Sequence, residues 1–462
     1  MTRPSNMAVR DIEALIHPYT NLEAFRMTGP LILDRGEGIY VYDTEGRQYI
    51  EGLAGLWCTA LGFGEEALIE AAIGQLRRLP YEHQFAGKSH EPGIALAETL
   101  KALAPVPVSK VLFSNSGSEA NDTQIKLAWY YNNARGKPKK KRIISRQKAY
   151  HGVTIASASL TGLPGNHRDF DLPLSFALHT DCPHHYRYAE PGETEEAFAS
   201  RLAANLDALI EREDPETIAG FIAEPLMGAG GVILPPRTYF EKIEAVLKKH
   251  DILFIDDEVI TGFGRTGKMW GCEAFGMTPH TITVAKALTS AYMPMSAVLI
   301  PEFLYDAMRQ ESKKLGSFGH GYTWGGHPVA AAVGLKTLEL YESRNILGHV
   351  NAVTPRFGAR MAKLGDHPIV GEAVSIGLIG AIELVADKKA KANFDPSRLV
   401  AAQGARFCEK EGLIVRPLMG DRIALCPPLI ITEAEIDELF DRFERALLAL
   451  EHWLKQEGLL AR

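Results

Sequence analysis

The chain has 462 residues, a formal net charge of −7, and 46% hydrophobic and 23% charged residues. That length allows one large subunit or two to three domains with a sizeable core, and the balance is that of an ordinary globular protein. No run approaches the ~18 apolar residues of a membrane span, and the start, MTRPSNMAVRDIEAL, lacks the apolar stretch and cleavage site of a signal peptide. The basic run KPKKKR at 137–142 has no interleaved aromatics. It reads as a solvated loop, so no nucleic acid is expected. The five cysteines are far apart and odd in number, which points to the reducing cytoplasm rather than a disulfide framework. Cys182-Pro-His184-His185 has no second cluster to complete a metal site, and reads as a polar loop.

In chain order, the first 35 residues are polar, contain Pro and have weak periodicity, as expected of an N-terminal arm. Residues 39–43 and 48–51 flank Asp43-Thr-Glu-Gly46, a hairpin turn. GLAGLWCTALGFG follows, a Gly-rich stretch around Trp57 suited to a packed turn or a pocket wall. Helix periodicity covers 66–79 and 92–104, the second opening on Pro92.

From Lys110 strands and helices alternate. VLFS precedes a helix from Ala120, RIIS a helix after Gly152, and IAGFIAE a helix over 239–250. ILFID, TITVA and SAVLI follow, then a helix over 302–314. Continuous apolar strands between helices imply an α/β fold with a mostly parallel sheet covered on both faces. After Pro328 an Ala-rich helix leads away to IGLIGAIEL, a helix near 399–411, LIVRP, RIALCP and a last helix from Glu433. These form a smaller α+β domain. The N-terminal hairpin is expected to join it, because two strands cannot bury a face alone. The expected division is 1–60 (arm and part of the small domain), 61–329 (large domain) and 330–462 (small domain).

Three stretches carry chemistry. Lys286 sits in the apolar run TITVAKALTSAYMP; a desolvated amine loses basicity and becomes a usable nucleophile or base. LFIDDEV ends a strand in Asp256, Asp257 and Glu258. Adjacent strand residues point to opposite faces, so these acids do not share one metal ion, and one acid aimed into a crevice fits better. Ser114-Asn-Ser-Gly-Ser-Glu-Ala120 runs from a strand into a helix, with Ser116 and Glu119 at capping-box spacing and Gly117 allowing close approach. Such a turn is an anion site. Gly262-Phe-Gly-Arg-Thr-Gly267 matches GxGxxG but lacks the following helix and the ribose-binding acid, so it is not a dinucleotide site. Tyr150-His151-Gly152 offers an aromatic face at the next sheet–helix junction.

SGSEAND at 116–122, YHG at 150–152, AEP at 223–225, DEVITGFGRTG at 257–267, AKALTS at 285–290 and YTWGGHP at 322–328 together resemble the class III, or omega, aminotransferases. These are fold type I pyridoxal phosphate enzymes. The resemblance implies that Lys286 holds pyridoxal 5′-phosphate covalently and then moves the substrate proton, and that Asp257 pairs with the ring nitrogen. It places Tyr150 and Val259 on the ring faces, with His151 beside them. Ser116, Gly117 and Ser118 would hold the phosphate with Thr323 of a neighbouring subunit, so the active sites would be shared in a homodimer. Glu224 matches the family's acid beside the cofactor.

Within the family the chain is most similar to amine:pyruvate transaminases. Trp57 and Tyr150 match their aromatic walls, with Leu56, Tyr19 and Phe85 as additions, and Arg416 matches the arginine that takes the carboxylate of pyruvate. Ornithine- and 4-aminobutyrate-type relatives carry a glutamate after EPxxG, where this chain has Ala229. The implied reaction moves an amino group from a primary amine or ω-amino acid to pyruvate, by a ping-pong mechanism. The alternatives are a 2-oxoglutarate acceptor, a decarboxylase or aminomutase on the same scaffold, and, remotely, a non-catalytic binding protein.

Overall fold

The alternating strands and helices build a seven-stranded sheet in the order 110–114, 296–300, 281–284, 253–257, 218–223, 142–146, 177–180. The structure is a computed structural model and describes residues 6–460. Every neighbouring pair in this sheet is parallel except those made by Ser296–Ile300, which runs antiparallel to both its neighbours. The strands Ile218–Ala223 and Leu253–Asp257 are buried along their whole length, as expected where helices cover both faces. The mostly parallel α/β architecture is therefore as expected from the sequence.

Two four-stranded sheets flank it. In one, the hairpin Tyr40–Asp43 and Gln48–Glu51 is joined in parallel by Leu413–Ile414, with Leu413 opposite Ile50. The other is antiparallel: Val370–Ile376, Ile379–Leu384, Arg422–Leu425 and Arg416–Leu418. LIVRP is thus two strands in two different sheets. The chain changes sheet at Val415 and delivers Arg416 at the seam.

Several expectations are corrected. The helix placed from Ala120 starts at Gly117 and runs to Ala134. The Ser116 hydroxyl accepts from the Glu119 N–H at 3.2 Å, but Glu119 reaches back to Asn115 N at 2.7 Å rather than to Ser116. The KPKKKR run is not fully solvated. Lys140 is buried and its Nζ donates to the carbonyls of His250 and Asp251 at 3.0 and 2.9 Å, terminating the helix Tyr239–Lys249 as a cation suits orphan C-terminal carbonyls. Cys182 and His184 are buried rather than in a polar loop, because His184 serves an internal charge cluster with Glu372 and Arg422. The glycines of the GxGxxG stretch carry Arg265 to the carbonyls of Leu378 and Pro427 at 2.9 and 2.6 Å, a structural tie. Among the described residues, no helix is long and apolar enough to cross a membrane.

Candidate active site

The carboxyl ends of the parallel strands meet the seam between the sheets at a cavity of about 500 Å³. In an open parallel sheet this is where ligands bind. It is lined by Lys286, Asp257, Gly117, Ser118, Tyr150, His151 and Val259 on the large-sheet side, and by Tyr19, Leu56, Trp57, Ala229 and Arg416 around the mouth.

Asp257 ends its strand buried. One oxygen accepts from Asn121 Nδ2 at 2.8 Å and lies 2.7 Å from His151 Nδ1, and the other accepts from Val259 N at 3.2 Å. Asn121 also donates to the His151 carbonyl at 2.7 Å, so hydrogen bonds join the acid, the histidine and the helix that starts at Gly117. Asp256 and Glu258 lie outside the cavity and are fully buried. Burial, and then their mutual repulsion, raise the Asp256 pKa, while burial raises that of Glu258. Of the three acids, only Asp257 lines the cavity.

Lys286 follows the strand Thr281–Val284 with φ +47°, a strained conformation for a long side chain and one typical of functional sites. Burial pulls its amine below the ordinary lysine range, against Cys58, Asp257 and Glu224, which favour the ammonium. Gly117 and Ser118 open a helix, where backbone N–H groups have no intrahelical acceptor. Gly152 closes this turn. Its φ is +138°, and a Cβ there would lie 2.3 Å from Ser157 Oγ and 2.6 Å from Ser118 Oγ, so only glycine fits.

Glu224 lies just outside the cavity wall and knits two of its sides. Its carboxylate accepts from Tyr150 N at 3.0 Å and Gly228 N at 2.9 Å, and burial raises its pKa. Trp57 is buried, with φ +64°, in a turn where Ala54 and Gly55 also have positive φ. Burial depresses the Arg416 pKa while Tyr150 and Tyr19 support its charge. Ser116 lies off the cavity as the helix cap.

Phe85 and Thr323 do not reach this cavity. Tyr81 donates its hydroxyl to the Thr323 carbonyl at 2.7 Å, and Phe85 packs over Gly321, where a Cβ would lie 3.2 Å from the ring. Both belong to a second surface region, with Phe85 48% and Trp324 63% exposed. Sequence reasoning missed Asn121, Leu163, Asn166, Ile260, Leu418 and Met419, which also line the cavity. Asn121 was within reach, lying one helical turn after Gly117 on the same face.

These residues fit a flat, phosphorylated pyridine. A turn of free N–H groups offers an anion site, a lysine and a carboxylate stand in the same cleft, and Asn121 Oδ1 and His151 Nε2 are buried without partners.

The model of the aminotransferase class-III family matches residues 24–447. Gamma aminobutyrate transaminase 1, mitochondrial, of Solanum lycopersicum is 52% identical over 423 residues, 91% of this chain and 82% of that protein. The omega transaminase of Pseudomonas jessenii in complex with PMP has a TM-score of 0.96 at 52% identity, covering 98% of this chain and 99% of that one. A thermostable omega transaminase variant engineered for asymmetric synthesis of enantiopure bulky amines has a TM-score of 0.95 at 51% identity, covering 97% of this chain and 100% of that one. The chain is a pyridoxal phosphate-dependent enzyme and belongs to the class-III aminotransferases.

Proposed function

We propose that the enzyme moves an amino group from a primary amine or ω-amino acid to pyruvate, giving alanine, in two half-reactions at one site. Pyridoxal phosphate, when bound, would supply the electron sink and the carrier for the amino group. The protein's own residues do the rest. Lys286, held in its strained turn with a lowered pKa, is the base that would take the proton from the amine-bearing carbon and, in the second half-reaction, give one back to the carbon that becomes C2 of alanine. Asp257, fixed by Asn121 and His151, would pair with the ring nitrogen. Gly117 and Ser118 would bind the phosphate, while Tyr150 and Val259 would confine the ring.

The observation that carries the acceptor assignment is Arg416. Its guanidinium lines the cavity beside Tyr150 and Tyr19, opposite a turn bearing Ala229 rather than an acid, and makes no ion pair among the described residues. A free planar fork suits a small 2-oxo acid's carboxylate. Engineered relatives support a specificity role for Trp57, Phe85 and Arg416. One variant made for bulky amines replaces a tryptophan, a phenylalanine and an arginine spaced by 28 and 331 residues, the spacing of Trp57, Phe85 and Arg416 here. The curated relatives are named for gamma-aminobutyrate, which makes 4-aminobutyrate the first ω-amino acid to try as donor.

Phe85 and Thr323 lie together on an exposed surface with Trp324, which supports a homodimer in which they complete the partner's site. The exposed apolar residues Ile16, Leu22 and Met27 of the N-terminal arm add to the area such a contact would cover. The pairing of Gln48–Glu51 with Leu413–Ile414 supports assigning 1–60 and 330–462 to one small domain and 61–329 to the cofactor domain. Five free cysteines support a cytoplasmic location.

The acceptor is tested by kcat/KM for pyruvate and 2-oxoglutarate, in wild type and Arg416→Leu. Pyruvate should be preferred, and the variant should raise its KM about 10- to 100-fold, the worth of a charge-assisted bidentate contact. A preference for 2-oxoglutarate would overturn the acceptor, and carbon dioxide release in place of alanine would overturn transamination.

A further inference from the structure

The hairpin that carries Arg416 carries a second guanidinium, and the two are held in opposite ways. Arg416–Leu418 pairs antiparallel with Arg422–Leu425, with Leu418 opposite Arg422. Arg422 is only 1% exposed. Its Nε donates to the Gly231 carbonyl at 2.6 Å, and its Nη1 to Glu372 and Glu383 at 2.6 and 2.5 Å. His184 Nε2 stands 3.3 Å from the same Nη1 and 2.9 Å from Glu372.

Glu372 and Glu383 are direct cross-strand partners, a pairing that repels unless a cation sits between them. Burial opposes ionisation of Glu372, yet the His184 hydrogen bond and the Arg422 charge bring it down to about 2. Arg187 pairs with Glu383 from the far side. A buried, multiply bonded guanidinium of this kind is costly to disturb and geometrically exact in what it joins.

What it joins are two walls of the active site. Gly231 belongs to the turn that carries Ala229, with φ +134°, and its lack of a Cβ leaves room for the Arg422 stem. A Cβ there would lie 2.7 Å from Arg422 Cδ. On the other side, Arg416, Pro417, Leu418 and Met419 all line the cavity.

We infer that Arg422 is a positioning residue for substrate specificity: by fastening the 416–419 wall to the Ala229 turn, it fixes both the width between them and the point from which Arg416 reaches the substrate carboxylate. This rests on the reading of Arg416 given above. Lysine at 422 keeps the charge but loses the planar fork that spans Gly231, Glu372 and Glu383, so the wall shifts without an orphaned acid pair.

The test uses the holoenzyme carrying Arg422→Lys, with steady-state kinetics for pyruvate and single-turnover kinetics for the amine half. The expected result is a rise in pyruvate KM of about tenfold, the scale of a sub-ångström misplacement. The single-turnover rate for a small amine should stay within about twofold, and the kcat/KM ratio of a bulky to a small arylalkyl amine should rise about fivefold. A merely structural role would lower both halves together, and that result, or an unchanged pyruvate KM, overturns the inference.

Arg416→Leu run alongside separates the two ideas. If it leaves pyruvate KM unchanged, the carboxylate reading fails. If it raises KM while Arg422→Lys does not, only the positioning role fails. Should Arg422→Lys not load cofactor, Glu372→Gln decides on the same readouts. A KM rise in the same direction sustains the role, and an unmoved KM overturns it.

Discussion

Lys286 is legible in sequence because a lysine inside an apolar run breaks a physical rule, while Asp257 is singled out from its two acidic neighbours only by the family resemblance. The structure adds what holds them. Asn121 bridges Asp257 and the His151 carbonyl at 2.8 and 2.7 Å; its helical position puts it on the site's face, but only the fold reveals the partner 136 positions away. Lys286→Ala should abolish turnover while leaving the fold intact, as circular dichroism would confirm; activity in that variant contradicts its role. Asn121→Leu should lower kcat about 10- to 100-fold through loss of a hydrogen bond to a charged group, with the secondary structure unchanged. If kcat holds, Asp257 does not need that support.

At the scale of elements, the strands were legible and their direction was not. SAVLI reads like its parallel neighbours, and only its register against Thr283 and Leu112 shows it to be antiparallel. The helix Glu195–Arg212 buries Phe198, Leu202, Leu206 and Leu209 at helical spacing and is capped by Thr194, a signal that the strand-centred reading passed over. The helix Ile346–Leu364 was hidden by Pro355 within it, since proline ordinarily argues against a helix interior. The switch of LIVRP between two sheets depends on pairing with Ile50, some 360 residues earlier, which no local pattern records.

The turn that presents Leu56 and Trp57 yields a prediction at this scale. The Glu51 carboxylate accepts from Leu53 N at 3.0 Å at the start of that turn, and burial raises its pKa to about 7. A raised carboxyl pKa means the folded state holds a proton that the unfolded chain releases near 4.5. Its favourable contribution is therefore complete below that pH and lost as pH climbs through about 7. Glu51→Gln, which cannot ionise, should match wild type near pH 4.5. It should gain on the order of 1–3 kcal/mol over wild type by pH 8. Thermal melts across that range check it; a gap that narrows with rising pH contradicts the buried acid.

For the whole molecule, the residues absent from the cavity are as informative as those in it. Phe85 and Thr323 sit on a shared, exposed surface, where the resemblance assigns Thr323 to a neighbouring subunit's site and Phe85 to the substrate pocket. The proposed dimer should elute at roughly twice the 50.7 kDa chain mass. Co-expressing Lys286→Ala with Thr323→Arg gives a sharper check. If Thr323 serves the partner's site, the mixed dimer has one intact site and regains activity that neither parent shows. If each chain uses its own Thr323, no activity returns.

The central claim, that this site takes an amino group from an amine and delivers it to pyruvate with Lys286 moving the proton, is tested most directly by the absorbance of the holoenzyme through one full cycle. The yellow protein should shift to the near-ultraviolet when an amine donor such as 4-aminobutyrate or an arylalkyl amine is added alone. Pyruvate should then restore the original spectrum as one equivalent of alanine forms. A protein that takes up no pyridoxal phosphate, or a spectrum that pyruvate does not restore, would contradict it.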